Sequence, residues 1–209
     1  MLHIARLHYI TTTAALAGQA CAGGVRWIQL RLKDVPFDVH KAVAQEVQMI
    51  CSNYGATLII NDNVALAAAI NADGVHLGKT DMPPARAREI LGYGKIIGST
   101  ANTLQDITDL AAQPIDYIGL GPFRFTTTKQ NLAPVIGLEG YTKLLQQLTA
   151  QQIKHPPIIG IGGITLPDVP ALLATGLHGV AVSAGIAAQP GVQQAAEQLV
   201  RAVQKNTTP

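Results

Sequence analysis

Charge is scarce in this chain. Only 13% of its 209 residues are Asp, Glu, Lys or Arg, against about 25% in an average soluble domain, so each charged side chain is more informative than usual. The balance is near neutral, 15 basic against 13 acidic residues for a formal net charge of +2. With no basic run, that excludes a general nucleic-acid binder. Long apolar runs are also missing. The longest, Val64 to Ile70, falls far short of the roughly 20 residues that cross a bilayer. His3, Arg6 and His8 interrupt the start before a signal-peptide core accumulates. No membrane partner is expected, and a cytoplasmic location is the default. Cysteine is limited to Cys21 and Cys51, which lack CxxC spacing and so indicate neither a metal cluster nor a disulfide framework. Both read as small core residues. The dinucleotide fingerprint GxGxxG is absent, because "GIGGIT" and "GLGPFR" each lack the last glycine.

What is present is a regular alternation. Short Val/Ile/Leu runs recur as "LHYITT", "VRWIQLRLK", "TLIIND", "GVHLG", "KIIGST", "YIGLG", "PIIGIGGI" and "GVAVSAG", which gives eight candidate strands. Helical segments separate them, at Phe37 to Asn53, Val64 to Asn71, Pro83 to Leu91, Thr103 to Gln113, Leu138 to Gln152, Pro167 to Thr175 and Val192 to Gln204, with a weaker one at Ala14 to Ala22. The approaches "AGGVRWIQL", "NADGVHL", "QPIDYIGL" and "TGLHGVAV" repeat a turn of Gly, Asp or Pro before the strand. Eight such units predict an α/β fold, a single small (β/α)8 TIM barrel over residues 1–209, with a doubly wound open sheet as the rival. The chain is short for eight units, so most loops are short. The exception follows the sixth strand, from Pro122 to about Gly137.

Within "WIQLRLKD" the residues Gln29, Arg31 and Lys33 alternate with Ile28, Leu30 and Leu32. A strand points successive side chains to opposite faces, so in a barrel the polar set faces inward and emerges at the carboxyl-end mouth where active sites sit. The third strand ends in Asn61 and Asp62, and Asp81 follows the fourth. Each Asp also reads as a helix cap. Asp73 precedes its strand and belongs to the opposite, structural end. Two carboxylates facing two cations suit a Mg²⁺ that bridges to a polyphosphate. Across the mouth, "GIGGIT" and "VSAGI" follow strands seven and eight, the recurrent phosphate-binding position of this fold, and glycines let backbone N–H groups approach an anion. "FTTTKQN" adds three hydroxyls and Lys129. The spacing implies two anion-binding ends around one mouth and does not say which substrates fill them.

The motifs "IQLRLKD", "LIINDNVALAAAINADGVHLGKTDMP", "YIGLGPFRFTTTK", "IIGIGGIT" and "GVAVSAGI" resemble, in order and spacing, those of the thiamine-phosphate synthase family, from about residue 8 to 200. The resemblance implies a barrel that joins hydroxymethylpyrimidine diphosphate to thiazole phosphate with Mg²⁺ and releases pyrophosphate. Carried over by motif, Gln29 contacts the pyrimidine, while Arg31, Lys33, Asn61 and Lys129 hold the diphosphate. Asp62 and Asp81 bind Mg²⁺, and Thr100 lies near the reacting diphosphate where the family usually has Ser. Thr126, Thr128, Gly163, Val182 and Ser183 hold the thiazole phosphate. A homo-oligomer is also what the family implies. This chain departs from the pattern in Leu32 for a common Glu, in "GKTD" for "GQED", and in "PFRFTTTK" for Pro-Thr-x-Thr-Lys, and none of these removes an implied ligand. A thiazole tautomerase of related fold, and a non-catalytic phosphate-binding barrel, are the alternatives. The tautomerase tends to lose the diphosphate ligands and to carry His where Pro122 stands.

Overall fold

Alternate residues of each strand fall into two separate apolar clusters, and that sorting closes the sheet on itself. The computed structural model describes residues 3–125 and 134–205. Its strands are β1 Leu7–Thr11, β2 Trp27–Leu30, β3 Thr57–Asn61, β4 Gly74–Leu77, β5 Ile96–Ala101, β6 Tyr117–Leu120, β7 Ile158–Ile161 and β8 Gly179–Val182. Each pairs in parallel with the next, and β8 returns to β1, so the eight form a closed barrel. The helices are α1 Ala14–Ala22, α2 Phe37–Tyr54, α3 Val64–Ala69, α4 Pro84–Leu91, α5 Leu104–Ala111, α6 Gly137–Ala150, α7 Val169–Ala174, α8 Ala184–Ala187 and α9 Val192–Lys205. The expected (β/α)8 TIM barrel is therefore the observed fold, and the open sheet is excluded. Among the described residues no helix is long and apolar enough to cross a membrane.

The outer cluster joins Ile28, Leu30, Leu58, Ile60, Val75, Leu77, Ile97 and Ile118 to the helices. Helix faces meet it at helical spacing: His40, Ala44, Val47 and Cys51 on α2, and Val192, Ala195, Ala196, Leu199 and Val203 on α9, are buried. Cys21 and Cys51 are both buried free thiols in this layer, as their sequence context implies. The inner cluster holds Ile10, Trp27, Ile59, Ile96, Tyr117, Ile159 and Ala181. Its large rings are accommodated by missing side chains on neighbouring strands. A Cβ on Gly98 would lie 2.1 Å from Tyr117 Cζ, and one on Gly119 would lie 2.9 Å from His76 Cε1. Trp27 stacks on His8 with centroids 4.2 Å apart, and Tyr117 meets both rings edge-on.

The repeated approach to the strands has a hydrogen-bonding cause. Asp73, just before β4, accepts from the Leu58 N–H of β3 at 2.7 Å, and Asp116, just before β6, accepts from Ile97 N–H of β5 at 2.8 Å. Each carboxylate satisfies an amide at the amino-terminal edge of the preceding strand. Asp116 also pairs with the guanidinium of buried Arg88 at 2.7 Å.

Three local expectations are corrected. The N-cap of α3 is Asn63, which accepts from Leu66 N–H at 2.9 Å, so Asp62 is released from that duty. α4 starts at Pro84 with Pro83 at its N-cap and no side-chain cap, the fixed proline φ pre-organising the first turn, and Asp81 instead accepts from the Gly78 N–H at 2.6 Å. The segment read as one helix from Pro167 starts as a 3₁₀ turn, Leu166–Asp168, closed by a Thr165/Asp168 capping box, and the short α8 was not anticipated.

Asp73→Ala is expected to lower stability by about 1–3 kcal/mol, the cost of stranding a buried strand amide. Urea denaturation measures it, and an unchanged midpoint would show that water replaces the carboxylate.

Candidate active site

The polar floor of the mouth is built on a hydrogen-bonded chain of Tyr117, His76 and Thr100. Gln29, on the inner face of β2, is buried and neighbours the Tyr117 hydroxyl. That hydroxyl meets His76 Nδ1 at 3.0 Å, and His76 Nε2 meets Thr100 Oγ1 at 3.1 Å. Burial pushes the Tyr117 hydroxyl well above its ordinary value, so it stays protonated and can donate one bond. Strand parity puts Gln29, His76, Thr100 and Tyr117 on the same interior surface. His76 is thereby packed and doubly engaged, as a polar support. Tyr117 was missed by sequence reasoning. The signal was available in "YIGLG", where an aromatic stands two residues before an inward glycine.

The charged group sits at the ends of β2, β3 and β4. β2 stops at Leu30, so Arg31 and Lys33 stand beyond its last residue rather than within it, although Arg31 N–H still bonds the Thr11 carbonyl at 2.9 Å. Leu32 packs against the outer cluster, as an outward residue should. Lys33 Nζ lies 2.5 Å from Asp62 Oδ2. The Asp62 carboxyl is in turn a close neighbour of Asp81, and the two influence each other's protonation. Asp62 is held at φ +63°, a left-handed conformation that few residues other than glycine adopt, and its amide donates to the His76 carbonyl at 2.8 Å. Burial raises the Asp81 carboxyl above the ordinary carboxylate range, and the neighbouring Asp62 raises it further. Burial would also raise Asp62, but interaction with Asp81 and with the ammonium of Lys33 outweighs it and holds Asp62 below its ordinary value. Two neighbouring carboxylates repel as a pair of anions, and added positive charge between them relieves that repulsion. A pair of oxygen-only donors under that strain fits a hard divalent cation, which takes its remaining ligands from water and phosphate. No third His, Cys, Asp or Glu joins them among the described residues. Asn61, inward at the end of β3 and in register with His76, is buried beside this group. Arg31 is half-buried, and its guanidinium has no ion-pair partner among the described residues.

The far end is made of backbone. Gly162 and Gly163 follow β7 at φ +102° and +68°, conformations that favour glycine. Val182 is the buried last residue of β8, and Ser183 next to it is the N-cap of α8 with its side chain making no cap bond. A Cβ on Gly185 would lie 2.9 Å from the Ile164 carbonyl, so the two loops touch. Thr126, Thr128 and Lys129 lie outside the described residues. Two rim contacts had no counterpart in the sequence reading: Lys79 Nζ pairs with Asp106 Oδ2 at 2.6 Å, and Arg124 forks onto Asp168.

Comparison with known proteins follows this geometry. A family model described as thiamine monophosphate synthase matches residues 4–186. The thiamine-phosphate synthase of Phocaeicola vulgatus is 54% identical over 170 residues, 81% of this chain and 81% of that protein. That of Clostridium novyi is 36% identical over 202 residues, 93% and 96% of the two chains. Among solved structures, the thiamine phosphate pyrophosphorylase from Pyrococcus furiosus superposes with a TM-score of 0.86 at 30% identity, covering 97% of both chains. A barrel whose rim gathers carboxylates and cations on one side and glycine backbone on the other, matched over most of its length by this model and these relatives, belongs to the thiamine monophosphate synthase family.

Proposed function

We propose that the chain is a thiamine-phosphate synthase, a transferase that joins hydroxymethylpyrimidine diphosphate to thiazole phosphate and releases pyrophosphate. The observation that carries this reading is the charge cluster Lys33, Asp62 and Asp81 at the ends of adjacent strands, in a chain with few charges to spend. A barrel that only isomerised the thiazole would have no use for it.

In this reading Gln29, fixed from behind by the Tyr117 and His76 chain, presents its amide to the pyrimidine edge. Arg31, Lys33 and Asn61, with Lys129, take the diphosphate oxygens. Asp62 and Asp81 hold Mg²⁺, which when bound supplies positive charge to the departing pyrophosphate. Gly163, Val182 and Ser183, with Thr126 and Thr128, take the thiazole phosphate. The bond from the exocyclic methylene to the diphosphate oxygen breaks, and the thiazole nitrogen bonds to that carbon. The electron-rich pyrimidine supports positive charge at the methylene as the bond lengthens. No proton has to be removed from the attacking nitrogen, so the protein's task is to orient two substrates and stabilise charge on the leaving group. Thr100, hydrogen-bonded to His76, stands ready to donate to that charge. Retention of Arg31, Lys33, Asp62 and Asp81, with a proline at position 122 where the tautomerase tends to carry His, favours the synthase over the tautomerase.

Incubating the protein with both substrates and Mg²⁺, then oxidising the product to its fluorescent derivative, is expected to reveal thiamine phosphate. Tautomer conversion without that product identifies the tautomerase, and binding without turnover identifies a non-catalytic barrel. Asp62→Ala is expected to lower turnover at least a hundredfold, about 2.7 kcal/mol of transition-state stabilisation, with the far-ultraviolet circular dichroism unchanged. Lys129→Ala is expected to do the same, and full activity in either purified variant refutes that residue's role. Chelation with EDTA is expected to abolish turnover, and excess Mg²⁺ to restore it. Persistent activity in a metal-free preparation would remove the metal from the scheme.

A further inference from the structure

The Gly163–Ile164 peptide after β7 makes no backbone hydrogen bond among the described residues. A glycine pair loses more conformational freedom on ordering than any other dipeptide, and the N–H groups of Gly163 and Ile164 find no backbone acceptor among the described residues. One side chain from another loop fixes the segment. Arg124, four residues past the end of β6, donates from Nη1 to the Gly163 carbonyl at 2.7 Å. The same guanidinium forks onto Asp168, with Nη1 to Oδ2 at 2.7 Å and Nη2 to Oδ1 at 2.8 Å. Asp168 is itself held by the Thr165 N–H at 2.8 Å and the Thr165 hydroxyl at 2.7 Å. The arginine stem lies directly on the glycine, since a Cβ at position 163 would come within 2.4 Å of Arg124 Cγ. Its guanidinium also covers the Phe123 ring at 4.6 Å. Backbone bonds align the two limbs below it, from Phe123 N–H to the Ile161 carbonyl at 2.8 Å and from Arg124 N–H to the Gly162 carbonyl at 3.0 Å.

A planar trans peptide points its C=O and its N–H in opposite directions. Whatever holds the Gly163 carbonyl therefore also aims the Ile164 amide. We propose that Arg124 is a positioning residue for the phosphate-binding backbone after β7. It touches no substrate, and it orients the Gly163–Ile164 peptide so that an N–H, and not a carbonyl, meets the anion. The planar bidentate fork is what makes arginine necessary, because lysine offers a point charge without fixed donor directions. This inference rests on the assignment of that backbone to the thiazole phosphate.

The test compares Arg124→Ala and Arg124→Lys with the unmodified protein, by steady-state kinetics and by calorimetric titration of thiazole phosphate alone. Arg124→Ala is expected to raise KM for thiazole phosphate at least tenfold and to weaken its binding to the same degree. KM for the pyrimidine diphosphate is expected to stay within twofold. Ethylguanidinium is expected to restore part of the loss in Arg124→Ala, and Arg124→Lys to resemble the alanine variant. A lower Tm with both KM values unchanged, or a lysine variant equal to the parent, overturns the inference. Should Arg124→Ala fail to fold, Asp168→Asn keeps the arginine and weakens its fork; a selective rise in KM for thiazole phosphate supports the proposal and no change overturns it. An unmodified protein that makes no thiamine phosphate removes the functional reading, and the titration still judges Arg124. Equal affinity in parent and variant, or binding to neither, overturns the inference independently.

Discussion

Everything at the mouth depends on filling the barrel interior without a gap or a clash. A closed parallel sheet admits only alternate side chains to its centre, and these must interlock in layers. Here the solution is unequal partners. Tyr117 fills the space that Gly98 leaves, and His76 fills the space beside Gly119. The aromatic layer is buried and closely packed, so the polar atoms above it meet fixed neighbours. Tyr117 presents its hydroxyl to Gln29 and His76, and His76 passes the constraint on to Thr100. The arrangement of this polar floor is thus a packing property before it is a hydrogen-bonding one.

Electrostatics is arranged around that floor with economy. At the amino-terminal end the charges are spent on the fold: Asp73 and Asp116 satisfy strand amides, and Asp116 also neutralises buried Arg88. At the carboxyl-terminal rim Lys33, Asp62 and Asp81 are crowded together. Burial and the neighbouring Asp62 raise the Asp81 carboxyl above its ordinary value, and Asp62 itself is held in a left-handed backbone conformation. Strain and like-charge repulsion persist where function maintains them. Further round the rim, the Lys79–Asp106 and Arg124–Asp168 pairs link neighbouring loops. These are exposed pairs of small individual worth, and their value lies in fixing loop backbone.

The eight units, their order and the inward parity of Gln29 were legible because period-two and period-3.6 patterns survive in a single sequence. Asp62 was harder to read. Asn63 beside it is an equally good cap, and only the folded turn shows which of the two caps α3 and which faces Lys33. Asp81 posed the same problem, resolved by the prolines that start α4. The Arg124 fork was out of reach, since its partners lie 39 and 44 residues away along the chain and no local pattern encodes that meeting.

The sequence by itself determined which faces are apolar, where strands and helices alternate, and that cations and carboxylates end neighbouring strands, since these are properties of residue type and spacing. Tertiary structure alone decided that Asp62 and Asp81 share one site, that Tyr117 and His76 brace Gln29 and Thr100, and that Arg124 reaches Gly163. Those relations depend on distances between segments, which barrel closure fixes and local periodicity does not.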